Sequence, residues 1–323
     1  MTSVPLPGPS ATYRSPLLHS TPGAVEAEPP DAGVAWHYGE WSAEQRRLVS
    51  GDGFVDLSHR GVLRVSGPDR LGWLHSITSQ QLEGLPPNTP TTTLVLSPNG
   101  HVEHVMSGHD DGEAFWAHVE PGTVGSLVEW LDRMRFMMRV EVTDVSEEYA
   151  VVHRPGEGEV IVERASLPSY PEQAGPPSGV WAHEALRIAA GIPRHGLDTD
   201  HRAIPNELGW IGPAVALDKG CYRGQETVAR VHTLGRPPRR LVLLHLDGSV
   251  DRLPGHGANV VNGERTVGFV GSSALHYELG PIALALIKRN VPGDAELLAD
   301  GVAAAQEVLV DPEIGLHVRP QLR

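Results

Sequence analysis

The residues best suited to chemistry lie together in Asp218-Lys-Gly-Cys-Tyr-Arg-Gly-Gln-Glu226. This stretch contains a thiol, an amine, a phenol, an amide and two carboxylates, and its two glycines permit positive φ and a close approach of the backbone to a ligand. A neighbouring Lys219 or Arg223 would favour the thiolate of Cys221, which is the nucleophilic and metal-binding form of the group. The alternative is a small buried cysteine. The polar neighbours instead favour a loop that presents a reactive thiol, with Cys221 and Lys219 as the candidate catalytic residues.

The elements that position this loop begin with a predicted strand over Gly61–Ser66. Gly67-Pro68-Asp69 then supplies helix-start chemistry for residues 70–77. Asn99-Gly100 separates two β-prone runs, 91–96 and 101–106, and is a strong hairpin signal. The first half of the chain is therefore predicted to mix strands, a hairpin and helices.

Apolar residues at spacings of three and four predict helices over 123–138 and 181–190, with strands between 141 and 162 and a loop over 166–179. Seven prolines in residues 1–30 predict a disordered tail. Arg236-Pro-Pro-Arg239 is typical of a linker. Short β-prone runs follow it at turn-rich intervals, which indicates a small β-barrel. These runs are Leu241–Leu246, Ala258–Val261, Thr266–Val270, Ile282–Ile287 and Glu307–Leu309.

Composition excludes several classes of function. The 323 residues carry 40 acidic and 26 basic side chains, a formal net charge of −14, which argues against binding nucleic acid through a basic surface. No apolar run is long enough to span a membrane and no signal peptide is evident, so we expect a soluble cytoplasmic protein without a membrane partner.

A single cysteine rules out an intrachain disulfide and a four-cysteine zinc or iron–sulfur site. His101 and His104 point to opposite faces of a strand, so no metal site is predicted there.

Lys219-Gly-Cys-Tyr-Arg-Gly-Gln-Glu226 resembles the signature of the YgfZ-type folate-binding proteins. That family is related to the glycine cleavage T-protein, an aminomethyltransferase, and to a mitochondrial iron–sulfur assembly factor. Leu186–Gly196 and Ile204–Glu207 are similar to the family's helix and turn before the signature. Gly268–Ser273 and Gly280–Lys288 resemble its C-terminal barrel.

The resemblance implies an α+β, T-protein-like multi-domain fold around a central channel that holds tetrahydrofolate. It implies a folate-binding region of two intertwined subdomains over residues 31–235 and a β-barrel domain over 236–323. It also implies a role in iron–sulfur cluster assembly or repair, with folate and either iron–sulfur client enzymes or assembly proteins as partners.

A folate offers a pterin, which needs paired hydrogen bonds and aromatic contact, and a glutamate tail, which needs cations. Arg230, Arg236, Arg239 and Arg240 are candidates for the tail, although a solvated arginine-rich linker explains the same cluster. Glu103 stands where an aminomethyltransferase carries a functional aspartate, and its longer side chain argues against aminomethyl transfer. Trp181 and His183 lie where the resemblance places an aromatic folate contact, near the start of the helix predicted over 181–190. The predicted folate-binding residues are Tyr222, Glu226, Glu207, Gln225, Arg230, Trp181 and Glu103.

Three functions therefore remain open at this stage. The first is a tetrahydrofolate-binding accessory protein for iron–sulfur clusters that acts through Cys221. The second is a folate-dependent aminomethyltransferase or demethylase, and the third is a folate-binding module with no covalent step.

Overall fold

A computed structural model describes residues 13–317. The helices are α1 (Leu17–Ser20), α2 (Trp41–Val49), α3 (Arg70–Ile77), α4 (Val124–Met134), α5 (Tyr170–Ala174), α6 (Val180–Ala189) and α7 (Gln225–Leu234), with 3-10 turns at Arg164–Ser169 and Pro205–Glu207. The strands are β1 (Val25–Glu26), β2 (Ala35–His37), β3 (Phe54–Asp56), β4 (Gly61–Ser66), β5 (Thr91–Leu96), β6 (Val102–Asp110), β7 (Ala114–Val119), β8 (Glu141–Asp144), β9 (Tyr149–Arg154), β10 (Gly158–Glu163), β11 (Pro177–Ser178), β12 (Arg239–Leu246), β13 (Asn259–Asn262), β14 (Arg265–His276), β15 (Gly280–Lys288), β16 (Leu297–Ala299) and β17 (Val302–Val308).

An antiparallel five-stranded sheet, in the order β5-β6-β7-β4-β8, forms the first layer. Its inner face packs against α3 and α4, which contribute Trp73, Leu74, Leu127 and Leu131 to a common core. The predicted hairpin is confirmed as β5–β6, in which Leu94 lies opposite Val105. The predicted strand at β4 and helix at α3 also have the bounds that the sequence indicated.

A second sheet, in the order β10-β9-β3-β11, lies beside the first. The predicted loop over 166–179 is wrong, because this segment forms a 3-10 turn, α5 and the short strand β11. Tyr170 of α5 meets Phe54 edge to face with ring centroids 4.8 Å apart, and β11 pairs in parallel with β3. Both contacts are made with residues more than 100 positions away, so no local pattern signals them.

The C-terminal strands close into the barrel β12-β15-β14-β13-β16-β17, which confirms the predicted barrel. Alternation along β12 determines its two faces. Val242 and Leu244 pack inside the barrel, whereas Leu241 and Leu243 join the core shared with α6 and α7. The three-residue strand β16 was not predicted.

The predicted disordered tail is wrong for residues 13–30, and the rest of that prediction falls on residues 1–12, outside the described part of the chain. Leu17 is fully buried in a cluster with Phe54, and β1 pairs with β2. Asp31, just beyond the segment, is clamped by Arg194 through two hydrogen bonds of 2.6 and 3.0 Å. Burial against the second sheet and this ion pair provide the stabilisation that proline content alone does not reveal.

Within the described residues, each helix is too short or too polar to cross a lipid bilayer.

The ion pair of Arg194 gives a test of this packing. We expect Arg194→Met to lower the free energy of unfolding by about 3–5 kcal/mol, because it removes the arginine that pairs with Glu120 and leaves His59 as the remaining partner of the buried Asp31. Arg133→Met is the matched control, since Arg133 and its partner Glu129 are 61% and 71% exposed. The control should change the same quantity by less than about 0.5 kcal/mol. Urea titration measures the free energy of unfolding of both variants. Equal effects of the two substitutions would contradict the proposed role of Arg194 in holding the N-terminal segment.

Candidate functional site

A central cavity of about 490 Å³ lies where the two sheets meet α6 and the chain that follows it. Part of its wall is apolar, with Val105 from β6, Leu186 from α6 and Trp210. The remainder of the wall is polar. Its charged and imidazole groups are Arg60, His118, Glu120, His153, Glu159, His183, Arg187, Arg194 and His195.

Two of the three arginines in this wall are already neutralised. Arg187 binds both Glu184 oxygens at 2.5 and 3.1 Å and Asp198 at 2.8 Å. Arg194 binds Asp31 and also Glu120, the latter at 2.7 Å. Arg60 differs, because its buried Nε has no hydrogen-bond partner among the described residues. A buried donor without a partner is costly, so Arg60 is the group in the cavity wall best suited to an anionic ligand.

Two histidines of the wall, His118 and His195, are neutral near pH 7. Burial lowers the pKa of His118 to about 4, and it also lowers the pKa of His195. Neutral imidazoles offer one donor and one acceptor each, which suits hydrogen bonding to a heteroaromatic ring.

His153, Glu159 and His183 form a distinct group at one side of the cavity, and their ligand atoms all lie within 4.8 Å of one another. Among the described residues they are the ones whose side chains have the arrangement to hold a metal ion.

The loop around Cys221 is anchored on both sides. The ammonium of Lys219 donates to the carbonyl oxygens of His75, Thr78 and Gln80, the last two at 2.6 and 2.9 Å, and so satisfies the C-terminal end of α3. Tyr222, next to the thiol, is 7% exposed and joins the core of the barrel and α6. Cys221 itself is exposed. The loop therefore presents a thiol from a rigid mount.

These contacts change the interpretation of Lys219. The predicted catalytic amine lies against backbone carbonyls, where burial lowers its pKa to about 8. In the structure it holds the loop against α3, and an action of Lys219 on the thiolate stays a prediction.

Gly224, at the start of α7, also helps to hold the Cys221 loop in place. Its φ is +82°, and an added Cβ would lie 2.5 Å from the carbonyl oxygen of Ser97 and 3.0 Å from the Cα of Gly100. The turn of the β5–β6 hairpin thus packs directly against the signature loop. Only glycine fits this contact.

The predicted folate-binding residues do not converge on the cavity. Glu207 pairs with Arg239 at 2.8 Å, and Glu103 pairs with Arg223 at 3.0 Å. Trp181 is stacked between Trp36 and Trp41, with centroid distances of 5.3 and 5.4 Å. Gln225 donates to the Lys219 carbonyl oxygen at 3.4 Å, Tyr222 is in the core, and Glu226 and Arg230 are exposed on α7.

Sequence reasoning missed most of the cavity wall. Arg60, His118, His153 and Glu159 stand on or beside four different strands, and no short motif joins them. One signal was available, since the resemblance pointed to the start of α6 for an aromatic folate contact. His183 on that helix lines the cavity, whereas Trp181 faces the other way into its stack.

Three kinds of comparison relate this chain to known proteins. Residues 18–156 match the family described as the GCVT N-terminal domain. The mitochondrial iron–sulfur cluster assembly factor IBA57 homolog of Mycosarcoma maydis is 27% identical over 226 residues, which cover 58% of this chain and 56% of that protein. An aminomethyltransferase of Shouchella clausii is 25% identical over 312 residues, 79% of this chain and 83% of its own length.

The fold has a close counterpart among solved structures. The glycine cleavage system aminomethyltransferase T from Bartonella henselae superposes with a TM-score of 0.75 at 17% sequence identity, covering 92% of this chain and 96% of that one. The chain therefore has an aminomethyltransferase-like fold, and its residues 18–156 match the GCVT N-terminal domain. An iron–sulfur cluster assembly factor and aminomethyltransferases are among the proteins to which it is similar.

The glycine contact at the loop is testable. We expect Gly224→Ala to lower the free energy of unfolding by about 3 kcal/mol, because the methyl group adds a backbone clash to the strain of a positive φ. It should also change the rate at which a water-soluble reagent alkylates Cys221. Gly212→Ala is the matched control, since Gly212 has φ +93° but no heavy atom within 4 Å of an added Cβ.

The control should lose only about 1 kcal/mol and leave the alkylation rate unchanged. Equal effects of the two substitutions on both measurements would show that the hairpin does not position the loop.

Proposed function

We propose that this protein binds tetrahydrofolate in the central cavity and acts, through Cys221, as an accessory factor for iron–sulfur cluster assembly or repair. The observation that carries the proposal is the eight-residue signature Lys219–Glu226, in which an exposed thiol is mounted between a buried lysine and a buried tyrosine. A relative named as an iron–sulfur cluster assembly factor supports it. The chain spans only 56% of that relative's length.

The cavity has properties that suit a folate. Its volume of about 490 Å³ falls in the range of small-molecule sites. Trp210, Val105 and Leu186 supply apolar surface for the faces of a pterin, and the unpartnered Nε of Arg60 is a donor for a carboxylate of the glutamate tail. When bound, tetrahydrofolate would supply ring nitrogens able to carry a one-carbon unit. The protein's contribution is to orient the ligand and exclude water from it.

Calorimetry with tetrahydrofolate tests the cavity. We expect saturable binding to the wild type and a loss of about tenfold or more in affinity for Arg60→Met, the size of one charge-assisted hydrogen bond. Arg230→Met is the control, because Arg230 is exposed on α7 and does not line the cavity. A loss of affinity in Arg230→Met alone would instead favour the site that the signature first suggested, and the absence of any binding would refute the folate proposal.

The proposed role of Cys221 is to bind an iron atom of a client's cluster. The thiol loses its proton to solvent as the sulfur–iron bond forms, and the soft thiolate is the preferred protein ligand for such iron. The rigid mount fixes the position of this sulfur, and its exposure lets a partner approach. In this scheme the iron belongs to the client's cluster and is not a resident cofactor of this protein.

Substitution of Cys221 separates this role from a module that only binds folate. Cys221→Ser should keep the wild-type thermal stability and folate affinity, since the side chain is exposed. It should fail to restore iron–sulfur enzyme activities in a deletion strain, because a serine hydroxyl ionises far less and is a poor soft ligand. Ser76→Ala, a change at a partly buried hydroxyl of α3, serves as a control and should complement fully. Full complementation by Cys221→Ser would leave the folate-binding module as the better proposal.

Aminomethyl transfer is a second candidate because relatives with that activity in their name match about four-fifths of the chain. Against it, Glu103 is paired with Arg223 and lies outside the cavity lining. Transfer of a one-carbon unit to tetrahydrofolate by the purified protein would favour this candidate. Cytoplasmic localisation and a partner among iron–sulfur client or assembly proteins remain predictions.

A further inference from the structure

The strands β9 and β10 bring a histidine and a carboxylate face to face. His153 and Glu159 are directly opposite in the antiparallel register, so their side chains lie on the same side of the sheet. His153 Nδ1 is 3.6 Å from Glu159 Oε1. From the opposite direction, α6 presents His183, whose Nε2 is 3.4 Å from the same oxygen.

These distances match the edges of a metal coordination polyhedron. Two ligand atoms that each lie about 2.1 Å from a tetrahedral zinc ion are about 3.4 Å apart. The two histidine rings pack edge to face with centroids 4.8 Å apart, so both approach the same point in space. The spacing is too long for strong hydrogen bonds and well suited to a shared ion.

Hydrogen bonding does not explain the group. His153 Nδ1 and His183 Nδ1 are both buried atoms without a hydrogen-bond partner among the described residues. His183 is 7% exposed, so its ring has little contact with water, and the neighbouring side chains do not provide a hydrogen bond to its Nδ1. The unpartnered His153 Nδ1 also faces Glu159, and an unsatisfied imidazole nitrogen in such a position often indicates a bound ligand.

The charges around the group are of both signs. Glu184 Oε1 stands 3.7 Å behind His183 Nδ1, the position from which a carboxylate orients a metal-binding imidazole. Arg60 acts in the opposite sense. Its positive charge reaches Glu159 but is also attracted to Glu120 in the same wall. The Glu159 side chain is 31% exposed, which leaves an access route for an ion and room for water ligands.

We propose that His153, Glu159 and His183 bind one divalent transition-metal ion at the edge of the central cavity. Two imidazole nitrogens and one carboxylate oxygen form a donor set typical of zinc and ferrous iron and unlike the all-oxygen sites of magnesium or calcium. Three protein ligands leave coordination positions open toward the cavity. The inference does not depend on folate binding or on Cys221.

The competing explanation is an ion pair between Glu159 and a protonated His183, with His153 as a neighbour. A metal site predicts saturable binding of a divalent ion at this group, whereas an ion pair does not. Chelator-stripped protein should therefore be titrated with Zn²⁺ by calorimetry and with Co²⁺ by visible absorption, since cobalt reports its coordination number through its spectrum. We expect one equivalent of either ion to bind per chain.

Substitution of the proposed ligands tests which residues bind the ion. Glu159→Gln preserves size and should weaken binding of both ions by at least about tenfold. His153→Gln should do the same. These two changes are at partly exposed side chains, so they test the proposal even if His183→Ala fails to fold. His201→Ala, at an exposed histidine elsewhere, should bind like the wild type.

Absence of saturable binding, or equal affinity in the wild type and in Glu159→Gln, would overturn the proposal. Tetrahydrofolate calorimetry on the stripped wild-type protein is run in parallel. If the protein binds tetrahydrofolate but no metal ion, the metal proposal has failed. If it binds the metal ion but no tetrahydrofolate, the folate proposal has failed.

Discussion

A buried network of ion pairs at the end of α6 is the constraint on which the rest of the structure depends. Arg187 joins Glu184 of its own helix to Asp198, and its Nη2 also donates to Ser272 of the barrel at 2.9 Å. Seven residues further on, Arg194 ties Asp31 and Glu120 to the same centre. The side chains of these ion pairs are at most 14% exposed, so removing one partner would leave another charge unpaired at a high free-energy cost. The barrel, the first sheet and the N-terminal segment are thereby held around one point.

This network also determines the chemistry of the cavity. Because Arg187 and Arg194 are matched by carboxylates, their charges are not available to a ligand, and Arg60 is left as the wall arginine with an unpartnered nitrogen. The same helix carries His183 into the wall while Trp181, two residues earlier, stacks on the opposite side. Fixing α6 therefore fixes which polar groups face inward.

The thiol and the cavity share one structural support. The β5–β6 hairpin contributes Val105 to the cavity wall, and its turn packs against Gly224 below the Cys221 loop. Lys219 binds the loop to α3, which packs on the same sheet. The exposed sulfur and the cavity are thus supported by a single sheet, although Cys221 is not part of the cavity lining.

The sequence by itself determined the features that depend on neighbouring residues. Asn99-Gly100 predicted the hairpin, the apolar spacing in α4 and α6 predicted those helices, and short β-prone runs at turn-rich intervals predicted the barrel, because turn chemistry and periodicity are local properties. The signature around Cys221 pointed to the T-protein group of proteins, and the comparisons found relatives of the same kind.

Tertiary structure alone decided what each charged group does. Lys219 looked like a partner of the thiol and instead binds three carbonyl oxygens of a segment about 140 residues earlier in the chain. Residues 13–30 looked too rich in proline to fold, yet Leu17 is buried and Asp31 beside them pairs with Arg194. The cavity wall likewise gathers side chains from strands and a helix that are distant in the chain. Pairing and burial are long-range properties, and the free energy of a charge depends on which distant groups surround it, so no window of sequence contains that information.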